Sequence, residues 1–429
     1  MSAAAVVDGP TAATPSAPRR PRLLAGLRSD RPVPLEEHLR LHGPRGQLDL
    51  IAEVEASGLR GRGGGGYPTG RKLQAVAAQR GRPVVVVNGT EAEPVSGKDK
   101  LLLQHLPHLV LDGAVAAAAA VGAREAIVVL DRHAATERAI IERAIETRSR
   151  RRLDGKVALR LAVSPGGFVS GEETAVVQLL NGRPAKPAFK PPLPFERGVG
   201  GAPTLVQNVE TLAHVSLIGR HGARWFREIG TEDEPGSALM TVSGSVRRPG
   251  VYEIPYGTPL DSLVAEAGGW SSEPQAYLLG GYFGAWIPAA RADGLLLSES
   301  SLRRQGASLG AGALVALPEH ACGLVESARV ARYLASESAG QCGPCVYGLD
   351  AIAGALEQLA RPSRDGVPQP RLRRWLDQVQ GRGACRHPDG TARFVDSALE
   401  AFSGELELHL RGRCSGRGQP VLPLGGYAR

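Results

Sequence analysis

Four short stretches of this chain gather residue types that hold ligands more readily than they pack. The run Gly61-Arg62-Gly63-Gly64-Gly65-Gly66 is side-chain-poor backbone set among the basic residues Arg60, Arg71 and Lys72. It satisfies Gly-x-Gly-x-x-Gly over Gly61, Gly63 and Gly66, yet a dinucleotide fingerprint follows a strand, and the spacing of Leu50, Ile51, Val54 and Leu59 predicts a helix before it. What remains is bare N–H groups at the start of a helix beside cations, which favour an anion such as a phosphate. A plain surface turn is the alternative. The second stretch, Asn88-Gly89-Thr90-Glu91-Ala92-Glu93-Pro94, follows the apolar run Val84 to Val87, at the strand end where open α/β sheets place their ligands. Its two carboxylates suit ribose hydroxyls, a flavin edge or a metal, or else form a solvated acidic turn. The third, Gly166-Gly167-Phe168-Val169-Ser170-Gly171-Glu172-Glu173-Thr174, again puts glycines and paired acids after a strand and at the opening of a helix, where acids also simply complement the dipole. The fourth is Cys342-Gly343-Pro344-Cys345, with Cys385 further along. A two-residue gap lets both thiolates face one metal centre. A thioredoxin-type dithiol and a zinc site are the rivals.

The elements that must carry these stretches alternate. Thr69 is expected to cap a helix over Lys72 to Arg80, Val84 to Val87 to form a buried strand, and the region Lys100 to Val121 to be helical. Ala126 to Leu130 and Val157 to Val163 read as further strands, each followed by a helix, which implies an α/β layer with parallel pairing. From Ser237 to Leu317 the pattern changes: Leu239 to Val246 and Val251 to Ile254 read as short strands joined by a Pro249-Gly250 turn, then a helix over Leu260 to Ala267. That is a small β-rich unit of β-grasp type. Beyond Leu324 the apolar spacing returns to that of helices and predicts a C-terminal bundle. The expected boundaries are a disordered leader over 1–40, an α/β domain over 41–235, the β-rich unit over 236–322, the bundle over 323–412 and a flexible tail over 413–429.

Composition narrows the function classes. At 429 residues the chain is long enough for two to four domains of about 150 residues. The longest apolar stretches, Val84 to Val87 and Ala114 to Gly122, fall far short of the ~20 residues of a spanning helix. The net charge of +8 is partly terminal, and no basic stretch interleaved with aromatics supports a nucleic-acid role. Five cysteines clustered toward the C-terminus do not make a disulfide framework, and the N-terminus lacks a continuous apolar signal core, so a cytoplasmic protein is expected.

With these four motifs in order, the sequence resembles the flavin- and NADH-binding subunit of respiratory complex I and its relatives in soluble hydrogenases and formate dehydrogenases. The likeness runs from about Ser57 to Gly412. It rests on the glycine run with Tyr67-Pro68-Thr69-Gly70-Arg71-Lys72, on Asn88 to Pro94, on Gly171-Glu172-Glu173-Thr174, on Lys190-Pro191-Pro192 and on Asn208-Val209-Glu210-Thr211-Leu212. The resemblance implies a Rossmann-like FMN-binding domain, a β-grasp ligand-binding module and a [4Fe–4S] bundle. It assigns Gly61, Gly63, Lys72, Asn88, Glu91, Gly171, Glu173, Asn208 and Thr211 to FMN, with Arg62, Gly64, Phe168 and Glu172 among the cofactor-binding positions. Glu93, Tyr67 and Lys190 fall on the NADH side, and Cys342, Cys345 and Cys385 hold the iron–sulfur cluster. The implied chemistry is hydride transfer from NADH to FMN and single-electron transfer to the cluster, then to a protein partner such as a thioredoxin-like [2Fe–2S] subunit or a ferredoxin.

The departures are specific. Ala339 stands where the family's first cluster cysteine belongs, leaving three thiolates. Cys322, His387 or Cys414 could complete the site, or the cluster is a three-iron or labile species, or absent. Thr90 and Gln207 replace an acid and an asparagine, and Ala75 and Leu193 replace two aromatics that sandwich the adenine of NADH. Those losses leave two alternatives open: a flavin and iron–sulfur protein fed by a ferredoxin or another protein, and a non-catalytic paralogue serving binding or assembly.

Overall fold

The computed structural model describes residues 21–27, 31–44, 46, 48–363, 369–416 and 420–425. Most of the expected leader lies outside these. Packing nevertheless begins well before residue 41: Leu23, Val33 and Leu35 are buried, and a helix runs over Leu35–His42.

Four strands, β1 (Val84–Gly89), β2 (Glu125–Asp131), β3 (Ala158–Ser164) and β4 (Thr204–Asn208), form an all-parallel sheet in the order β3-β2-β1-β4. The near-continuous valine run of β1 is what a central strand covered on both faces requires. Register places Val87 between Val128 and Gln207, and Asn88 beside Asn208. The two asparagine motifs, distant in sequence, therefore end side by side at the carboxyl edge of the sheet. The helical region after β1 is two helices, Lys98–His105 and Pro107–Ala120, bent by 97° where Pro107 starts the second. The second packs against the long helix Val209–Phe226 so closely that a Cβ on Gly113 would lie 1.9 Å from the Leu212 carbonyl oxygen. Thr69 is the first residue of the helix Thr69–Ala77 rather than its cap, and Pro68 precedes it.

The later strands are β5 (Ser237–Gly244), β6 (Gly250–Pro255), β7 (Thr258–Pro259), β8 (Pro274–Leu279), β9 (Ala285–Pro288), β10 (Leu296–Leu297) and β11 (Ala313–Pro318). Five make a mixed sheet in the order β6-β5-β11-β8-β9, with β5 and β11 parallel, and β7 pairs with β10 in a separate ribbon. The helix Leu260–Glu266 buries Leu260, Leu263 and Val264 against this layer. Helices Gly323–Ser336, Leu349–Leu359, Gln369–Val379, His387–Ala401 and Ser403–Leu410 follow, sharing a core with Trp286 and Leu317 of the sheet. The expected flexible tail is partly packed: Leu422 is buried, its N–H donates to Glu326 at 2.8 Å, and Tyr282 bonds to the Pro423 carbonyl. Among the described residues no single helix is long and apolar enough to cross a membrane.

Candidate flavin and iron–sulfur site

The glycine loop is tied at its neck and left bare at its tip. Gly61 N–H donates to the Tyr67 carbonyl and Thr69 N–H to that of Leu59, each at 2.9 Å. Arg62 N–H donates to Thr211 Oγ1 at 2.8 Å, which pins the loop to the first turn of the helix Val209–Phe226. Asn208 caps that turn, its Oδ1 accepting from the N–H groups of Glu210 and Thr211 at 3.0 and 3.4 Å. A Cβ on Gly63 would press on Asn208 at 3.3 Å, whereas one on Gly65 or Gly66 would meet nothing within 4 Å. Gly64 and Gly66 adopt φ of 91° and 59°, a region that side chains disfavour.

The second and third motifs meet on the other side. Asn88 Nδ2 donates to the Gly171 carbonyl at 2.8 Å, while Thr90 folds back on Asn88 Oδ1 through its hydroxyl at 2.6 Å. Only glycine fits at 171, because a Cβ there would lie 2.8 Å from Thr90 Oγ1. Glu172 caps the helix Glu173–Leu180 by accepting from Thr174 and Ala175 N–H at 2.7 and 3.3 Å. Lys72 and Lys190 converge on Glu173 at 2.9 and 2.8 Å, and Lys190 also reaches Glu172 at 3.1 Å. Burial alone would raise the Glu173 carboxyl, but these two ammonium groups outweigh it and hold its pKa at about 2.

Three expected ligands are turned elsewhere. Glu91 accepts from Ser96 Oγ at 2.6 Å and from Asp99 and Lys100 N–H at 3.2 and 2.9 Å, so it serves the start of the helix Lys98–His105. Glu93 is half-buried with its carboxyl turned toward β8–β9, accepting from Tyr282 N–H at 2.9 Å; burial pushes its pKa up to about 7. The Arg62 guanidinium is buried among Tyr256, the Ser237 carbonyl and Glu210. It braces the loop against the second sheet. Tyr67 is 58% exposed at the loop's edge. Sequence reasoning missed the buried ion network beneath the loop, in which Lys98 lies 2.9 Å from Asp99 and 3.0 Å from Glu210. Nothing in the local pattern joins Lys98 to Glu210.

These residues fit a flavin nucleotide. The loop tip presents unencumbered backbone, Lys72 stands in the first turn of the helix Thr69–Ala77 that follows it, and Gln207 Nε2, at the end of β4, is a buried donor with no hydrogen-bond partner.

The three expected cluster thiols gather on one side of the bundle. Cys342 precedes the turn Pro344–Gly348 that contains Cys345, and Cys385 precedes the helix His387–Ala401. Burial pushes the Cys345 thiol up to about 12; a bond from Ser338 opposes this, and the neighbouring Cys342 and Cys385 add to it. The described group with four Cys, His or Glu ligand atoms within 4.8 Å of one another lies elsewhere, while Cys345 has Cys342 as a hydrogen-bonding neighbour and Cys385 within electrostatic reach. Ala339 is buried at the missing ligand position. Of the candidate replacements, Cys322 and Cys414 belong to the separate group. His387 donates through Nε2 to the Leu334 carbonyl, 2.8 Å away, and packs on Phe168 and Phe283 at 5.8 and 5.4 Å between ring centres. Its Nδ1 is buried and unpartnered, and burial lowers its pKa to about 4, keeping the ring neutral. Phe168 N–H donates to Glu337 at 2.7 Å and Gln341 to the Pro187 carbonyl at 3.0 Å, which couples the thiol loop to the Gly171–Glu173 stretch.

Fold and site together define a flavin-binding, iron–sulfur redox protein. The family model described as the Nuo51 FMN-binding domain matches residues 54–217, that of the SLBB domain 239–281, and that of the NADH-ubiquinone oxidoreductase-F iron-sulfur binding region 326–409. An NADH-quinone oxidoreductase F subunit of Rhizobium meliloti (strain 1021), the second of two in that organism, is 32% identical over 377 residues, covering 85% of this chain and 89% of the relative. The corresponding F subunit of Rhodobacter capsulatus is 32% identical over 383 residues, covering 86% and 89%. The chain belongs to the family of NADH-quinone oxidoreductase F subunits. Among solved structures, an NAD+-reducing [NiFe]-hydrogenase in the air-oxidized state superposes with a TM-score of 0.80 at 30% identity, over 94% of this chain and 68% of that one.

Proposed function

We propose that the chain is the NADH-oxidising, FMN- and iron–sulfur-carrying subunit of a larger cytoplasmic redox assembly. FMN held there would supply two-electron acceptance from NADH and one-electron release to an iron–sulfur cluster. The chain's own work is binding and orientation. The amides of Gly64 to Gly66 and the Lys72 ammonium receive the phosphate, with Gly61 and Gly63 keeping the floor free of side chains. Asn88, Gly171, Asn208 and Thr211 keep the loop and the two strand ends in register. Glu173 holds Lys72 and Lys190 in place, Lys190 and Tyr67 border the NADH side, and Cys342, Cys345 and Cys385 hold the cluster. We read residues 41–235 as the FMN unit, 236–322 as the β-grasp unit and 323–412 as the cluster-bearing bundle. The observation that carries this reading is the convergence of the glycine loop, Asn88 and Gly171 at one sheet edge, coupled to the cysteine loop through Phe168 and Glu337.

Anaerobic reconstitution with FMN, iron and sulfide tests it. The reading expects stoichiometric flavin, iron and sulfide, and bleaching of the flavin band by NADH. A protein that takes up neither flavin nor iron under these conditions refutes it. Ala75 and Leu193 favour a second reading in which a ferredoxin or a thioredoxin-like [2Fe–2S] protein is the electron donor. Flavin that loads normally but is bleached by reduced ferredoxin and not by micromolar NADH selects that version.

A further inference from the structure

Away from the flavin edge, Cys322, Glu405, His409 and Cys414 bring four ligand atoms within 4.8 Å of one another. Cys322 sits just after β11, at the cap of the helix Gly323–Ser336; Glu405 and His409 lie one turn apart on the helix Ser403–Leu410; Cys414 follows that helix. Cys322 Sγ is 3.5 Å from His409 Nε2 and 3.7 Å from Glu405 Oε1. Zinc–sulfur and zinc–nitrogen bonds of about 2.3 and 2.05 Å at tetrahedral angles give an S···N edge of about 3.6 Å, and the S···O edge is similar. The observed separations already match those edges. The Glu405–His409 contact, 3.0 Å, must open by a few tenths of an ångström, and Cys414 lies within 4.8 Å of the other three ligand atoms.

The surroundings orient the ligands as a metal site requires. His409 Nδ1 lies 3.0 Å from the Leu359 carbonyl, which can only accept, so Nδ1 carries the proton and Nε2 offers its lone pair to the centre. Glu405 is steadied by Ser415 N–H at 2.9 Å and by the Ser415 hydroxyl. Cys322 and His409 are buried, while Cys414 is exposed, which leaves an entry path. Gly416 lies against Cys322 so tightly that a Cβ there would come within 2.6 Å of the Cys322 Cβ.

We propose that Cys322, Glu405, His409 and Cys414 form a closed site for one zinc-type divalent cation that clips the chain after the last helix onto the bundle. Binding displaces one proton from each thiol, and two thiolates, a carboxylate and a neutral imidazole then complete four-coordination. The site shares no residue with the cysteine loop.

The test uses the full-length chain, depleted of metal and titrated with cobalt(II) and zinc(II). One equivalent of cobalt is expected to give a tetrahedral spectrum with a thiolate charge-transfer band, displaced by zinc. C414S, at an exposed position that does not threaten folding, is expected to lose about half the band intensity and to bind at least about tenfold more weakly. The double variant C342S/C345S is expected to retain both. Three results overturn the proposal: cobalt binding absent in the wild type, binding unchanged in C414S or lost in C342S/C345S, or a Cys322–Cys414 disulfide in mass spectra of the freshly purified protein.

Discussion

Replacing Glu173 by glutamine removes the carboxylate that two ammonium groups share and leaves Lys72 and Lys190 facing each other. In the folded chain that carboxyl titrates at about 2 instead of the ordinary 4.5. At about 1.4 kcal/mol per pH unit, the difference corresponds to ~3 kcal/mol at neutral pH. With 27% of the Glu173 side chain and 23% of Lys72 facing water, this is an upper figure, and a net effect of about 1–3 kcal/mol is expected. The sign follows from the direction of the shift. A carboxyl whose pKa is depressed on folding stabilises above its unfolded value and loses that contribution as pH falls toward the folded value. The gap between wild type and Glu173→Gln is therefore greatest at pH 7 and shrinks below pH 4.5, to less than half near pH 3. Urea unfolding midpoints of both proteins across this range provide the measurement. A gap that is absent at pH 7, or that persists undiminished at pH 3, refutes the assignment of Glu173 as the anchor of the lysine pair.

Gly171→Ala forces a methyl group against Thr90 and is expected to cost about 1–3 kcal/mol and to reduce flavin retention, read by thermal melting and bound-FMN content. Restoring aromatic rings with Ala75→Phe or Leu193→Phe is expected to tighten NADH by about two- to tenfold each, from ~0.5–1.5 kcal/mol of stacking, measured as the NADH dependence of flavin bleaching. Glu93, whose folded pKa is raised to about 7, favours the fold below pH 4.5 and progressively opposes it as pH rises through 7. Glu93→Gln should thus be near neutral at pH 4 and stabilising at pH 8, as followed by melting temperature.

Much of this architecture was legible because it is encoded locally. The valine run of β1, the glycine loop, the Pro249-Gly250 turn and the helical spacing beyond Leu324 each declare an element within a dozen residues or so. The pairing of Cys342 and Cys345 was readable for the same reason, since only two residues separate them. What stayed hidden depends on distant partners. Glu91 looks like a ligand until the helix starting at Lys98 is folded onto it, and Arg62 looks like a phosphate contact until Tyr256 and Ser237 are brought beside it. Cys322 and Cys414 read as candidates to complete the cluster loop rather than as one site, because Glu405 and His409, which meet them, carry no signature of their own in the sequence. The tail read as flexible from its Gly and Arg content, whereas the burial of Leu422 and the bonds of Leu422 and Pro423 to Glu326 and Tyr282 seat part of it.

The bond from Phe168 N–H to Glu337 has a kinetic meaning. Tunnelling between two redox centres decays exponentially with their separation, and that contact and the one from Gln341 to the Pro187 carbonyl are among those that join the two halves of the proposed conduit. Loosening either bond would leave both centres loaded and their affinities intact while slowing the current between them.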